Sequence, residues 1–122
     1  MFQEPQKYSD NDHFFFEADK ELEKVCNAPK DKDGVFKVIE LRNGKINLVY
    51  IGYSESGGLF NEIVNGIHYD KNRRKTGWVS QMIKDNTDAL DVYWYVTSGK
   101  EEQAEMLKDF VVQTGELPKW NK

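Results

Sequence analysis

The sequence predicts a small α+β fold whose strands are accompanied by helices, one of them at the N-terminus. Two apolar runs flank an Asn43-Gly44 dipeptide, and a third strand-like run covers residues 91–97. Helical periodicity over residues 101–114 is followed by Gly115 and Pro118, which are helix-ending signals. A mixture of strands and helices without a repeating β-α alternation is typical of an α+β domain.

The central element of this prediction is a β-hairpin. Residues 35–39 and 46–51 are rich in β-branched and aromatic side chains, as strands prefer. Asn43 and Gly44 both tolerate the positive φ that a tight hairpin turn requires. The second run is mostly apolar, so we expect much of the hairpin surface to be covered.

The helices are predicted from the spacing of apolar residues. The N-terminal helix should start near His13, capped by Asp10 or Asp12, and end at residues 26–27 because Pro29 prevents its continuation. Its three consecutive phenylalanines, at positions 14–16, should pack on the sheet, although a dimerisation patch is the alternative. Short helices are expected at residues 59–67 and 78–84, and a longer one over residues 101–114.

Composition limits the class of protein. With 122 residues, 39% of them hydrophobic and 31% charged, the chain is expected to form one soluble domain. Cys26 is the single cysteine, which excludes an internal disulfide and a cysteine-rich zinc site. No apolar run has the length of a membrane span, and the N-terminus lacks signal-peptide features, so we expect a cytoplasmic protein with no membrane association.

The charge distribution gives two opposing indications about nucleic acid. The net charge of −4 disfavours a polyanion partner. A local basic cluster nevertheless offers one positively charged region, and it contains Lys71, Arg73, Arg74 and Lys75. DNA therefore stays open as a partner, as does the oligomeric state.

Two tripeptides in the hairpin carry a family resemblance. Gly34-Val35-Phe36 opens the first strand and Tyr50-Ile51-Gly52 closes the second. Together they resemble the signature of the GIY-YIG nuclease domain family, of which this chain would be a divergent member. The resemblance covers residues 34–121, so we expect a lead-in and helix at 1–30 and a GIY-YIG-like domain at 31–122. It implies a small three-stranded antiparallel sheet flanked by helices, to which the N-terminal helix is an addition.

The resemblance implies hydrolysis of DNA phosphodiesters with Mg²⁺ or Mn²⁺. It assigns a catalytic part to Tyr50, which would activate the attacking water, to an assisting His68 and to a supporting Asn121. Glu105 or Asp109, four residues apart on one helix face, would hold the metal, since hard cations prefer carboxylate oxygen. The alternatives from the residues alone are a strand tyrosine packed inside, a structural histidine and a solvated acidic helix face.

Two signature positions depart from the family. Phe36 stands where the first tripeptide has a tyrosine, and Glu62 stands where the following helix has a phosphate-binding arginine. Arg73 and Arg74 are then the candidates to bind phosphate, although a solvated basic loop explains them too. Two hypotheses stay open: a metal-dependent endonuclease, or a catalytically degenerate GIY-YIG-like domain that binds nucleic acid or protein.

Overall fold

The computed structural model describes residues 10–17, 20–66, 82, 85–97 and 100–121, and these form an α+β domain on one antiparallel sheet. The sheet has four strands in the spatial order β1-β4-β2-β3. Their bounds are β1 Asn11–Phe16, β2 Gly34–Arg42, β3 Lys45–Ser54 and β4 Ala89–Val96. The described helices are α1 Leu22–Val25, α2 Leu59–Asn61, which continues as a π-helical turn over Glu62–Gly66, and α3 Lys100–Thr114.

The predicted N-terminal helix is wrong over its first half, and the sheet accordingly has four strands rather than three. Residues 11–16 form β1, which pairs antiparallel with β4 along its whole length. Phe14 and Phe16 are buried whereas Phe15 is 55% exposed, which is the two-residue period of a strand. Only α1 remains of the helix. The division between residues 1–30 and 31–122 stays a prediction.

The predicted hairpin is confirmed. Asn43 and Gly44 have φ values of 51° and 78°, as a type I′ turn requires, and β2 and β3 pair on either side of them. The register shifts between Val38 and Ile39, where Val49 of β3 is the extra residue of a β-bulge.

The alternation of side chains divides the sheet into two faces. The core face contains Phe36 and Val38 of β2, with Trp94 and Val92 directly opposite them on β4. These side chains belong to a cluster of buried residues that also includes Leu22, Leu59, Ile63 and Met82. The second face contains His13, Phe15, Lys37, Tyr93 and their neighbours in register.

The C-terminal part returns to the exposed edge of β3. The predicted helix over residues 101–114 is confirmed as α3, which contacts β3 and β2, yet none of its residues is fully buried. Gly115, at φ 90°, ends it with its N–H donating to the carbonyl of Val111 at 2.8 Å. The N–H of Trp120 then donates to the carbonyl of Val49 at 2.8 Å. The helix predicted over residues 78–84 falls almost entirely outside the described residues.

Candidate functional site

The two signature tripeptides lie side by side on β2 and β3. Phe36 is directly opposite Gly52, and Gly34 is opposite Ser54, whose hydroxyl accepts a hydrogen bond from the Gly34 N–H at 3.2 Å. A Cβ at Gly52 would overlap the Phe36 ring, and a Cβ at Gly34 would overlap the carbonyl oxygen of Tyr95. Both glycines are therefore needed for packing, whatever chemistry the strands carry.

Tyr50 lies beside Phe36 on the core face. Their ring centroids are 5.9 Å apart with the planes tilted by 45°. Tyr50 is half-buried and packs against the core cluster, so its ring is a packing element as well as a candidate for chemistry. Phe36 is 1% exposed and has no polar atom beyond its backbone.

Glu62 occupies the first residue of the π-helical turn after α2. Desolvation by burial raises the pKa of its carboxyl, because a half-buried carboxylate loses part of its hydration. An arginine at this position would offer a positive charge to a phosphate. Glu62 offers instead a carboxyl group that, when ionised, repels one.

Asn121 is tied to the backbone of β3. Its Oδ1 accepts a hydrogen bond from the Ile51 N–H at 2.8 Å, and its Nδ2 donates to the Ile51 carbonyl at 3.1 Å. Gln103 of α3 donates to the same carbonyl at 3.1 Å. Since β3 is an edge strand, the amide of Asn121 completes hydrogen bonds that a fifth strand would otherwise make. Asn121 thus contacts the residue that follows Tyr50 in β3, and its amide links the C-terminal segment to that strand.

The remaining predicted site residues lie on α3 or outside the described residues. Glu105 and Asp109 lie on exposed positions of α3. His68, Arg73 and Arg74 fall outside the described residues, so their predicted roles stay predictions. Within the described part of the chain, no three His, Cys, Asp or Glu residues group as metal ligands would.

A groove of about 310 Å³ lies between the turn end of the hairpin, the end of α3 and the C-terminal segment. Glu40, one of the residues that line it, is fully buried. The Glu40 carboxylate accepts hydrogen bonds from Thr87 Oγ1 at 2.5 Å and from Lys119 Nζ at 3.3 Å. Lys119 also lies 3.3 Å from Oδ2 of Asp85. One ammonium is thus shared by two carboxylates, and Oε1 of Glu40 is left without a hydrogen-bond partner, while the network fastens the C-terminal segment to β2.

A row of polar and aromatic side chains on the second face was not predicted. His13 lies opposite Tyr93, and Tyr93 lies opposite Lys37, so the three cross β1, β4 and β2 in line. His13 Nδ1 lies 2.7 Å from Oδ1 of the mostly buried Asp91. The sequence of residues 11–16 does not alternate between polar and apolar residues, so the signal that could have indicated β1 is the strand preference of the three phenylalanines.

The single cysteine is not placed for chemistry. Cys26 is buried in the core cluster, and desolvation raises the pKa of its thiol, partly offset by the backbone hydrogen bond at Ala28. A buried, protonated thiol is a poor nucleophile. Cys26 therefore acts as a packing residue of the core.

Comparison with known proteins returned no match to a protein-family model, to a curated protein or to a solved structure. The GIY-YIG resemblance therefore stays a prediction that rests on the tripeptides and on their pairing. No helix among the described residues has the length and apolar character needed to cross a bilayer.

Proposed function

We propose that this chain is a catalytically degenerate GIY-YIG-like domain that binds nucleic acid without cutting it. The observation that carries the proposal is Phe36, which occupies the place of the first signature tyrosine and is buried against Gly52 and Tyr50. A phenylalanine can neither accept a proton nor hydrogen-bond a water, so this position contributes no acid–base chemistry.

Glu62 supports the same proposal. In phosphodiester cleavage, positive groups must neutralise the charge that develops in the transition state. Removing one such group costs on the order of 3 kcal/mol, or about a hundredfold or more in rate. A half-buried carboxyl in its place, with a pKa raised by desolvation, adds no compensating positive charge.

Affinity for nucleic acid then depends on the basic cluster of residues 71–75. Its lysines and arginines offer phosphate contacts that the acidic remainder of the chain does not. Arginine suits this task because its planar guanidinium can donate two parallel hydrogen bonds to one phosphate. Binding should therefore be weak and should decrease as the salt concentration rises.

The test combines plasmid cleavage with gel retardation of duplex DNA, in Mg²⁺ and in Mn²⁺. We expect retardation without cleavage, and loss of retardation in the double variant Arg73→Ala, Arg74→Ala. The matched control is the double variant Lys45→Ala, Lys108→Ala, which removes two exposed positive charges elsewhere. A control variant that loses retardation equally would show that net charge alone governs binding and would contradict the proposal.

Cleavage by the wild type would instead favour the endonuclease. In that case, Tyr50→Phe should abolish cutting. Calorimetry should also detect Mn²⁺ binding that Glu105→Gln or Asp109→Asn abolishes. Both results together would indicate that the chain has the nuclease activity of the family that it resembles. Robust cutting that survives both Tyr50→Phe and the arginine double variant would place the chemistry on other residues.

A further inference from the structure

Strand β3 forms one edge of the sheet, and its sequence suits pairing with a further strand. After Lys45, residues 46–54 contain no charged residue and no proline, and most of them are β-branched or aromatic. An edge of this composition offers its outer backbone groups to any other strand. Native proteins usually block such an edge with charges, a proline or a covering segment. Since β3 beyond Lys45 lacks the first two, a covering segment is required.

The covering segment is the C-terminal strap, which we define as residues 118–121. The N–H of Trp120 donates to the carbonyl of Val49 at 2.8 Å. The side-chain amide of Asn121 occupies both backbone groups of Ile51, with its Oδ1 2.8 Å from the N–H nitrogen and its Nδ2 3.1 Å from the carbonyl oxygen. A neighbouring strand would bond to these same outward-pointing groups. The strap and a further strand therefore cannot occupy this part of the edge together.

Side chains make most of this cover. Both groups of Ile51 are bonded to the Asn121 amide, and Gln103 of α3 donates to the same carbonyl at 3.1 Å. A side-chain amide imitates a peptide group over one residue, whereas a strand continues the ladder in both directions. A second strand would therefore make more hydrogen bonds with β3 than the strap makes. The strap has the advantage of belonging to the same chain, which gives it a high effective concentration at the edge.

A second copy of this chain is a partner that fits this edge. Two β3 strands related by a twofold axis can pair antiparallel, because each offers both a donor and an acceptor to the other. Lys45 is the only charged residue of β3, so like charges do not line the paired strands. The end of α3 borders the same strand, since Phe110 lines one groove with Val49. The next residue but one on α3, Val112, is 76% exposed, so apolar surface lies near the edge.

We propose that the edge of β3 is a self-association surface and that the C-terminal strap competes with a second copy for it. While the strap is closed, this edge stays unpaired with any other chain. When the strap opens in two copies, their β3 strands pair antiparallel and the two sheets become one continuous sheet. The proposal goes beyond the proposed function and does not depend on it, since it involves neither Phe36 nor the basic cluster.

The experiment measures the dimer dissociation constant of the full chain by sedimentation velocity. The double variant Gln103→Ala, Asn121→Ala removes both side chains that occupy the Ile51 backbone. Each copy loses about two net hydrogen bonds from its closed state, which favours opening about tenfold or more. Because both copies open, the dissociation constant should fall at least about a hundredfold relative to wild type. The matched control is Asn47→Ala, Gln113→Ala, which removes an exposed residue of the same type from β3 and from α3 and should behave as wild type.

Amide hydrogen exchange locates the contact independently of mass. In the wild type, the Ile51 N–H should be protected by Asn121. In the double variant it should exchange rapidly in dilute solution and slowly as the protein concentration rises, because a partner strand then replaces the amide. The Val38 N–H, in the central strand β2, should stay protected throughout and reports that the variant is folded.

Several outcomes would overturn the proposal. A folded double variant that stays monomeric, with Ile51 exchanging rapidly at every concentration, would show that the free edge does not pair. Open-ended aggregates, or equal dimerisation by the wild type and the control, would show that the strap does not govern a twofold contact. If Val38 loses protection, the single variant Gln103→Ala decides, since it keeps the Asn121 amide; it should lower the dissociation constant about tenfold, and a wild-type value would reject the proposal.

Discussion

Replacing Asn121 by alanine separates a structural role from a catalytic one. The wild-type amide makes two hydrogen bonds with the Ile51 backbone, at 2.8 and 3.1 Å. Alanine removes both partners at once. The Ile51 carbonyl still accepts from Gln103, but the Ile51 N–H is left without its acceptor on the edge of the sheet.

The magnitude follows from these contacts. A typical intramolecular hydrogen bond contributes about 1 kcal/mol net, and a buried donor left unsatisfied costs about 1–3 kcal/mol. Because one of the two Ile51 groups keeps a partner, we expect Asn121→Ala to lower the free energy of unfolding by about 2 kcal/mol. With an m value of about 2 kcal/mol per molar urea, the midpoint should fall by about 1 M.

Two further variants make the assay specific. Asn121→Asp keeps the shape but replaces the donating Nδ2 by an acceptor that faces the Ile51 carbonyl, so it should destabilise at least as much as alanine. Asn47→Ala removes an exposed asparagine from the same strand and should change stability by less than about 0.5 kcal/mol. Wild-type stability in Asn121→Ala, accompanied by loss of an activity that the wild type shows, would refute the structural role.

Two other substitutions test the packing of the signature strands and the buried carboxyl. Gly52→Ala should destabilise by about 1–3 kcal/mol because its Cβ overlaps the Phe36 ring. Gly57→Ala, whose Cβ would meet only the Asn61 amide at 3.4 Å, should lack that clash penalty; equal losses in urea unfolding would contradict the steric argument. Glu62→Gln should stabilise the protein at neutral pH. The raised pKa means that the folded state disfavours the ionised carboxylate. Wild-type stability is therefore highest at low pH, where Glu62 is protonated, and falls as pH rises through the folded-state pKa. The stability difference between Glu62→Gln and wild type should vanish as pH falls to about 4.5, the ordinary pKa of a glutamate. Urea unfolding at neutral pH and at about pH 4.5 measures it, with the exposed Glu55→Gln as control. A stability difference that is equal at the two pH values would contradict the argument.

The parts of the fold that were predicted correctly have local causes. The hairpin follows from Asn43 and Gly44, whose backbone preferences act within four residues. The end of α3 follows from Gly115, which adopts the left-handed conformation that its position suggested. Such signals need no knowledge of the rest of the chain.

The incorrect part depends on a distant partner. Residues 13–16 satisfy both a helical and a strand pattern, because three consecutive phenylalanines place an apolar side chain at any spacing. The pairing of β1 with β4, in which His13 lies opposite Tyr93, resolves the choice across 80 positions of sequence. The aromatic row on the second face was missed for the same reason, since it requires the register of three strands.

The sequence named candidate site residues but could not give their environment. The sequence places Glu62 where the family that the chain resembles has an arginine, but it does not show that burial raises the pKa of that carboxyl. The sequence also favoured Asn121 as a site residue, and the structure supplies a backbone partner for its amide. Hydrogen-bond partners and desolvation arise from packing between segments far apart in sequence, so no local pattern encodes them.

The glycines of the two tripeptides are explained by the packing of the hairpin and require no catalytic role. Gly52 is required because the Phe36 ring occupies the space of its side chain, and Gly34 is required because the Tyr95 carbonyl does the same. Neither requirement involves a hydroxyl, so replacing a tyrosine by Phe36 leaves both glycines necessary and the strands paired. Both glycines are therefore needed for packing whether or not the hairpin carries any chemistry, and function has to be argued from the side chains that the scaffold displays.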